Sequence, residues 1–186
     1  MSTESTLKDA KDHMDKALAM FKTELRGLRT GRATPALVEN IRAEYYGSPT
    51  PLNQIAQIST PDPQSIVVRP FDASALKEIE KAIRSSDLGM SPNNDGKIIR
   101  LQVPAMSGEQ RKKMAAQIKK MAEDKKVSCR NIRRDANKHI ENAEKEGELT
   151  EDERDKAKEK VQTLLKSYED QIQDAADKKS KEVLEQ

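Results

Sequence analysis

Residues 118–143 read IKKMAEDKKVSCRNIRRDANKHIENA. Ile118, Cys129 and Ile140 are spaced by eleven, as are Met121, Ile132 and Ala143. Eleven residues make almost a whole number of helical turns, so this stretch presents one steady face with little supercoil. Ser107-Gly108-Glu109-Gln110 upstream has the form of a capping box, and Gly147 downstream is a stop signal, so one helix is expected from about 107 to about 146. At about 1.5 Å per residue a helix of about 38 residues is about 57 Å long. A single helix of that length cannot bury its own apolar seam and needs partners along its whole length.

The partners lie on either side. Upstream, Leu7, Met14, Phe21 and Leu28 recur every seven residues, with Leu18 and Leu25 between them, which predicts a helix over 3–28. Downstream, Thr150-Glu151-Asp152-Glu153 forms a second capping box, and Val161, Leu165, Tyr168, Ile172, Ala175 and Val183 make a third seam. All 8 prolines fall between 34 and 104, where the heptads stop. There Ile41–Tyr46, Ile55–Thr60, Ile66–Pro70 and Lys97–Val103 read as strands, Thr34-Pro35 starts a short turn, and Asp72 caps a helix from Ala73 to about Ser85. The fold class is therefore α+β. A three-helix bundle built from 1–29 and 107–186 must be elongated, and 30–106 is a small α+β domain inserted into it. Two chain crossings join them, near Thr30-Gly31-Arg32 and Pro104-Ala105-Met106, and a two-strand crossing can act as a hinge. Gly31 is expected to be a point where even proline leaves folding nearly intact.

Composition narrows the function. The 186 residues are 35% charged and 34% hydrophobic, with five aromatics and no Trp, which suits long helices with narrow seams. No apolar run reaches membrane-spanning length, the first residues lack a signal-peptide plan, and the one cysteine rules out an intrachain disulfide, so a cytoplasmic protein with no membrane partner is expected. Catalytic constellations are missing. His13 and His139 lie among charged neighbours as surface groups, Cys129 falls on a seam, and Gly96-Lys97 lacks the flanking residues of a phosphate loop. No enzyme, metal or cofactor is implied.

Net charge is only +2, but it is unevenly spread. Residues 106–138 hold 11 basic and 4 acidic groups, whereas 139–186 hold 9 and 15. The concentration peaks at Arg130-Asn131-Ile132-Arg133-Arg134, with Asn137 beyond it. With Ile132 placed at the core and about 100° per residue, Arg130 falls at about 160°, Arg134 at about −160° and Asn137 at about 140°, all outward, and Arg133 at about 100° on the flank. Arginine's planar fork grips phosphate in bidentate fashion. The shortage of aromatics nearby favours backbone and shape recognition of folded RNA over base stacking. The bland alternative is a solvated face of i,i+4 ion pairs, and a coiled-coil scaffold or an RNA-processing enzyme are the other readings to weigh.

Met14-Asp15, Leu28-Arg29-Thr30-Gly31-Arg32-Ala33, Glu44-Tyr45-Tyr46-Gly47-Ser48-Pro49-Thr50-Pro51-Leu52, Glu80-Lys81-Ala82-Ile83, Ser86-Asp87-Leu88-Gly89, Asn93-Asn94-Asp95-Gly96 and Arg130-Asn131-Ile132-Arg133-Arg134-Asp135-Ala136 together resemble the signature segments of the bacterial ribosome recycling factor family. The resemblance covers essentially the whole chain. It implies an L-shaped two-domain monomer that binds ribosomal RNA of the large ribosomal subunit. With elongation factor G and GTP, the family dissociates the post-termination ribosome into subunits and releases it from mRNA. It implies RNA contacts by Arg130, Arg133 and Arg134, with Arg29 and Arg32 at the hinge; Asn131 and Asn137 join the set as neighbours on the same helix. Where the family often has two prolines and a Thr-Glu-Glu-Arg helix start, this chain reads Pro104-Ala105-Met106-Ser107-Gly108-Glu109-Gln110-Arg111.

Overall fold

The computed structural model describes residues 3–185. The chain divides into two compact units, one made of residues up to Leu25 together with those from Lys112 onward, the other of Arg26–Arg111.

The first unit is helical. α1 (Thr3–Arg26), α4 (Gly108–Lys145) and α5 (Glu151–Leu184) supply its three seams. Met14, Phe21, Ile118, Cys129, Val161 and Ile172 are fully shielded from water, as the seven- and eleven-residue spacings require. At one end Ala10, Ala136, Ile140, Ala157 and Val161 pack together, with Leu7, Ile132 and Leu164 against them. In the second half of α5 it is Ala176, not Ala175, that is buried.

The helix starts are built as their residues dictate. The Ser107 hydroxyl accepts from the Gln110 N–H, and the Gln110 side chain accepts from the Ser107 N–H. Thr150 and Glu153 satisfy one another in the same reciprocal way. α4 ends where Gly147 takes φ +78, a left-handed value that costs other residues about 1 kcal/mol or more. The Glu148 N–H then reaches the Ala143 carbonyl and the Gly147 N–H reaches Glu144, closing the two outstanding acceptors. Only residues 146–150 separate α4 from α5.

The second unit is α+β. Its elements are a 3-10 turn (Pro35–Leu37), β1 (Arg42–Tyr45), β2 (Ser48–Pro51), α2 (Leu52–Ile55), β3 (Ala56–Asp62), β4 (Ser65–Pro70), a 3-10 turn (Ala73–Ala75), α3 (Leu76–Ser85), β5 (Pro92–Asn94) and β6 (Ile99–Gln102). β1 and β2 form an antiparallel hairpin, and β3-β4-β6-β5 form an antiparallel sheet in that order. Leu52, Ile66, Val68, Ile79, Ile83, Ile99 and Leu101 make its core. Asp72 caps the Ala73 turn by accepting from the Ser74 N–H at 2.9 Å.

Two strands escaped the sequence reading. β2 contains Pro49 and Pro51, and β5 begins at Pro92, and proline speaks against a strand. Both tolerate it because each is paired on one side only.

Of the residues expected to form the hinge, Thr30 is buried, Arg32, Pro104 and Ala105 are exposed, and Gly31 is buried with φ +79. Proline is locked near −65°, so it cannot occupy position 31 without rebuilding the backbone. The expectation that proline would be tolerated there is corrected.

Candidate nucleic-acid interface

The geometry of α4 shifts the helical wheel drawn from sequence. Its buried residues are Ile118, Ala122, Cys129, Ala136, Ile140 and Ala143, while Ile132 is only partly covered. With Ile132 at zero these residues fall between about 20° and 80°, so the seam is centred about 50° from Ile132. The sequence offered Ile132 as the bulkiest apolar residue inside the arginine run. Small residues, Cys129 and Ala136, in fact face the neighbouring helices.

Re-centring corrects two placements. Arg130 lies at about 110° from the seam and Asn137 at about 90°, on the flank and not directly outward. Arg133 moves in to about 50°, and Arg134 stays outward at about 150°. The hydrogen bonds agree. Arg130 Nε donates to Glu169 Oε1 of α5 at 2.7 Å, and its Nη1 donates to Glu123 Oε1 at 2.8 Å. These two carboxylates, Glu123 first, hold the Arg130 guanidinium even more firmly protonated than usual. Arg133 Nη1 donates to Gln162 Oε1 at 2.9 Å. The Nε of Arg133 and the Oδ1 of Asn137, one turn apart, are shielded from solvent and lack partners among the described residues.

Arg134 and Asn131 are exposed, and Arg134 makes no hydrogen bond or ion pair among the described residues. Lys119 and Lys120 are exposed on the same helix. Lys125 instead pairs with Glu24 of α1 at 3.0 Å, and Lys126 donates to Gln173 of α5 at 2.6 Å. The basic run is thus divided. Arg134 and Asn131 are turned to water, while Lys126, Arg130 and Arg133 are aimed by α5.

The remaining members of the set, Arg29 and Arg32, are exposed and belong to the Arg26–Arg111 unit. The Arg29 guanidinium lies over Gly89, so close that a Cβ there would meet Nη1 at 3.4 Å.

The acceptors on α5 were not anticipated. Gln162, Glu169 and Gln173 are spaced by seven and four, which places them on one helical face. That spacing was available in the sequence, but their partners become evident only once the antiparallel register of α4 and α5 is known.

Cys129 is fully buried, and burial, with the Glu169 charge second, pushes its thiol up, away from the reactive thiolate. His13 and His139 are exposed, and His13 Nδ1 lies 2.8 Å from the Asp9 carbonyl one turn back. Among the described residues no group of three or more His, Cys, Asp or Glu is arranged to hold a metal ion, and no helix is long and apolar enough to cross a membrane.

Comparison with known proteins agrees with this architecture. The family model described as ribosome recycling factor matches residues 21–184. The ribosome-recycling factor of Bacillus licheniformis is 46% identical over 185 residues, covering 100% of both chains. That of Rhodopirellula baltica is 57% identical over 138 residues, 74% of each chain. A solution structure of the ribosome recycling factor matches with a TM-score of 0.84 at 39% identity, covering 100% of this chain and 99% of that one. A second solved structure, described as models for the T. thermophilus ribosome recycling factor and the E. coli elongation factor G bound to the E. coli post-termination complex, matches at 40% identity. Its TM-score is 0.69, and it covers 99% of this chain and 100% of that one. An elongated three-seam helical unit, an inserted antiparallel sheet and full-length likeness to these relatives lead to one assignment: the chain belongs to the ribosome recycling factor family.

Proposed function

We propose that this protein binds the post-termination ribosome through ribosomal RNA of the large subunit. With elongation factor G and GTP hydrolysed by that factor, it then promotes dissociation into subunits and release from mRNA. It acts as a monomer, in the cytoplasm, and brings no active site of its own. The observation that carries the reading is the clustering of Arg130, Arg133 and Arg134 along one solvent-reaching side of α4, in a chain whose family has a member solved with elongation factor G on a post-termination complex.

Phosphate is the natural ligand of that side. Arg134 offers an uncommitted planar fork. Arg130 and Arg133 keep N–H groups beyond those engaged by Glu123, Glu169 and Gln162, since a guanidinium has five donors. Asn131 and Asn137 extend the polar edge. Arg29 and Arg32 form a second basic group in the small unit, and Thr30, Gly31, Arg32, Pro104 and Ala105 serve as the hinge between the units.

The test is light scattering of post-termination ribosomes mixed with elongation factor G and GTP. The parent protein splits them. Arg130→Ala, Arg133→Ala and Arg134→Ala split them more slowly at equal concentration and recover at higher concentration. Each arginine withdrawn from a phosphate lowers the slope of log affinity against log salt by about 0.7 to 0.9. If all three variants matched the parent in rate, affinity and slope, the RNA site would have to move to Arg29 and Arg32. If the parent itself failed to split ribosomes, the function would be wrong.

A further inference from the structure

Along the α4–α5 seam, two kinds of polar contact occur, ion pairs and contacts to neutral amides. Near the interhelical loop the pairs are full ion pairs, Lys158 with Glu141 at 2.5 Å and Arg154 with Glu144 at 3.6 Å. Higher up, at the arginine cluster, the acceptors differ. Lys126 meets the amide oxygen of Gln173 and Arg133 meets the amide oxygen of Gln162; only Arg130, between them, meets a carboxylate, Glu169.

The difference matters chemically. A carboxylate both orients a cation and cancels its charge. A neutral amide oxygen orients it and leaves the charge to act on something else. A seam built only for stability has no reason to replace acids by amides opposite Arg133 and Lys126. A seam that must hold cations in place for an anionic ligand does.

We propose that Gln162, Glu169 and Gln173 are positioning residues of the RNA site. On this view α5 aims the forks and ammonium of α4 at phosphate before the ribosome is met. The inference rests on the RNA-binding reading of α4 given above and adds to it the helix that does the aiming. Glu169 contributes geometry at some cost in charge, because it is a carboxylate, and Glu123 adds a second one on Arg130. Holding a long side chain in its bound rotamer removes part of the ordering penalty that binding would otherwise incur.

The experiment measures affinity for purified bacterial large ribosomal subunits across a salt series, with thermal melting recorded on the same samples. Gln162→Ala and Glu169→Ala each weaken binding by about three- to tenfold, the range set by freeing one rotamer-rich side chain. The salt slope stays at the parent value, because no cation is removed. Glu169→Gln keeps an acceptor in place and binds within about twofold of the parent. Gln162→Glu holds Arg133 at least as firmly but neutralises it, so binding weakens while the melting temperature does not fall. In a double-mutant cycle, Glu169→Ala added to Arg130→Ala has no further effect on binding.

A purely structural role gives a different pattern. There, weaker binding tracks a lower melting temperature and the effects add in the double variant. That pattern overturns the proposal, and so do Gln162→Ala and Glu169→Ala proteins that bind like the parent or tighter while Arg130→Ala and Arg133→Ala bind weakly with a shallower slope. If the two arginine variants themselves bound like the parent, the underlying RNA reading would fall, and the positioning role with it.

Discussion

Replacing Tyr168 with Phe removes one oxygen at the contact of α5 with α1, and two consequences can be worked out. Tyr168 is 4% exposed, and its hydroxyl donates to the Asp15 carboxylate. Burial first, then the Asp15 hydrogen bond and charge, push the phenol up from 10.0 to about 12. A hydrogen bond to a charged acceptor contributes about 1.5 to 3 kcal/mol. Asp15 is exposed and regains water when the hydroxyl goes, so the lower end applies, about 1.5 kcal/mol lost near neutral pH.

The second consequence appears in alkali. In the unfolded chain the phenol ionises near 10 and in the folded chain near 12, so between those values the unfolded state holds fewer protons and stability falls as pH rises. A shift of about two units corresponds to at most about 2.7 kcal/mol, and solvent at the Asp15 end reduces this to roughly half. Tyr168→Phe has no such group, so the difference between parent and variant near neutrality closes by about pH 12. Other groups that ionise in this range are common to both proteins and cancel in the difference. Urea unfolding followed by far-ultraviolet circular dichroism gives the two stability curves. The difference in phenolate absorbance between parent and Tyr168→Phe isolates this one ionisation from those of Tyr45 and Tyr46. Stability curves that stayed parallel through the alkaline range would refute the coupling of Tyr168 to Asp15.

Three further outcomes rest on side chains and backbone already described. Arg130→Ala lowers stability more than Arg134→Ala does, because it strips the partner from Glu123 and Glu169, whereas Arg134→Ala stays within about 0.5 kcal/mol; equal losses in urea would return Arg130 to the outward face. Thr150→Ala dismantles the capping box of α5 and lowers stability by about 1 kcal/mol, with a matching drop in melting temperature. Gly31→Pro disrupts folding of the small unit, visible as collapsed amide dispersion in its nuclear magnetic resonance spectrum, and a native-like spectrum would contradict the left-handed backbone at that position.

Much of this protein is legible in its sequence because its long elements are periodic and its helix ends are chemically explicit. Met14 and Phe21 of the seven-residue series and Ile118, Cys129 and Ile140 of the eleven-residue series are buried, Leu7, Leu28, Met121 and Ile132 only partly covered, and both capping boxes form as written. Short elements were harder. β2 and β5 each hold proline on a singly paired strand, where local preference argues the wrong way and pairing decides. The arginine cluster was visible as composition, but the direction of each side chain was not. Direction depends on where α4 turns its seam, and Ile118, Cys129, Ala136 and Ile140 set that seam, not Ile132. The α5 acceptors lay further out of reach, because an interhelical partner thirty or forty positions away appears only when both helices are docked.

The discontinuity of the helical unit has a consequence for synthesis. α1 leaves the ribosome before the residues that cover it: its apolar stripe waits while the Arg26–Arg111 unit and then α4 and α5 are made. At about 5 to 20 residues per second, α1 stays without its partners for roughly ten to thirty seconds. The intervening unit has all of its own core by then and can fold first. The tight turn at residues 146–150 lets α4 and α5 close on each other as a local hairpin, so a two-helix groove stands ready when α1 returns. Of the three long helices, the one translated first is therefore the last to be covered, and a chaperone that shields apolar helices early in translation has its longest opportunity at Leu7, Met14, Leu18 and Phe21.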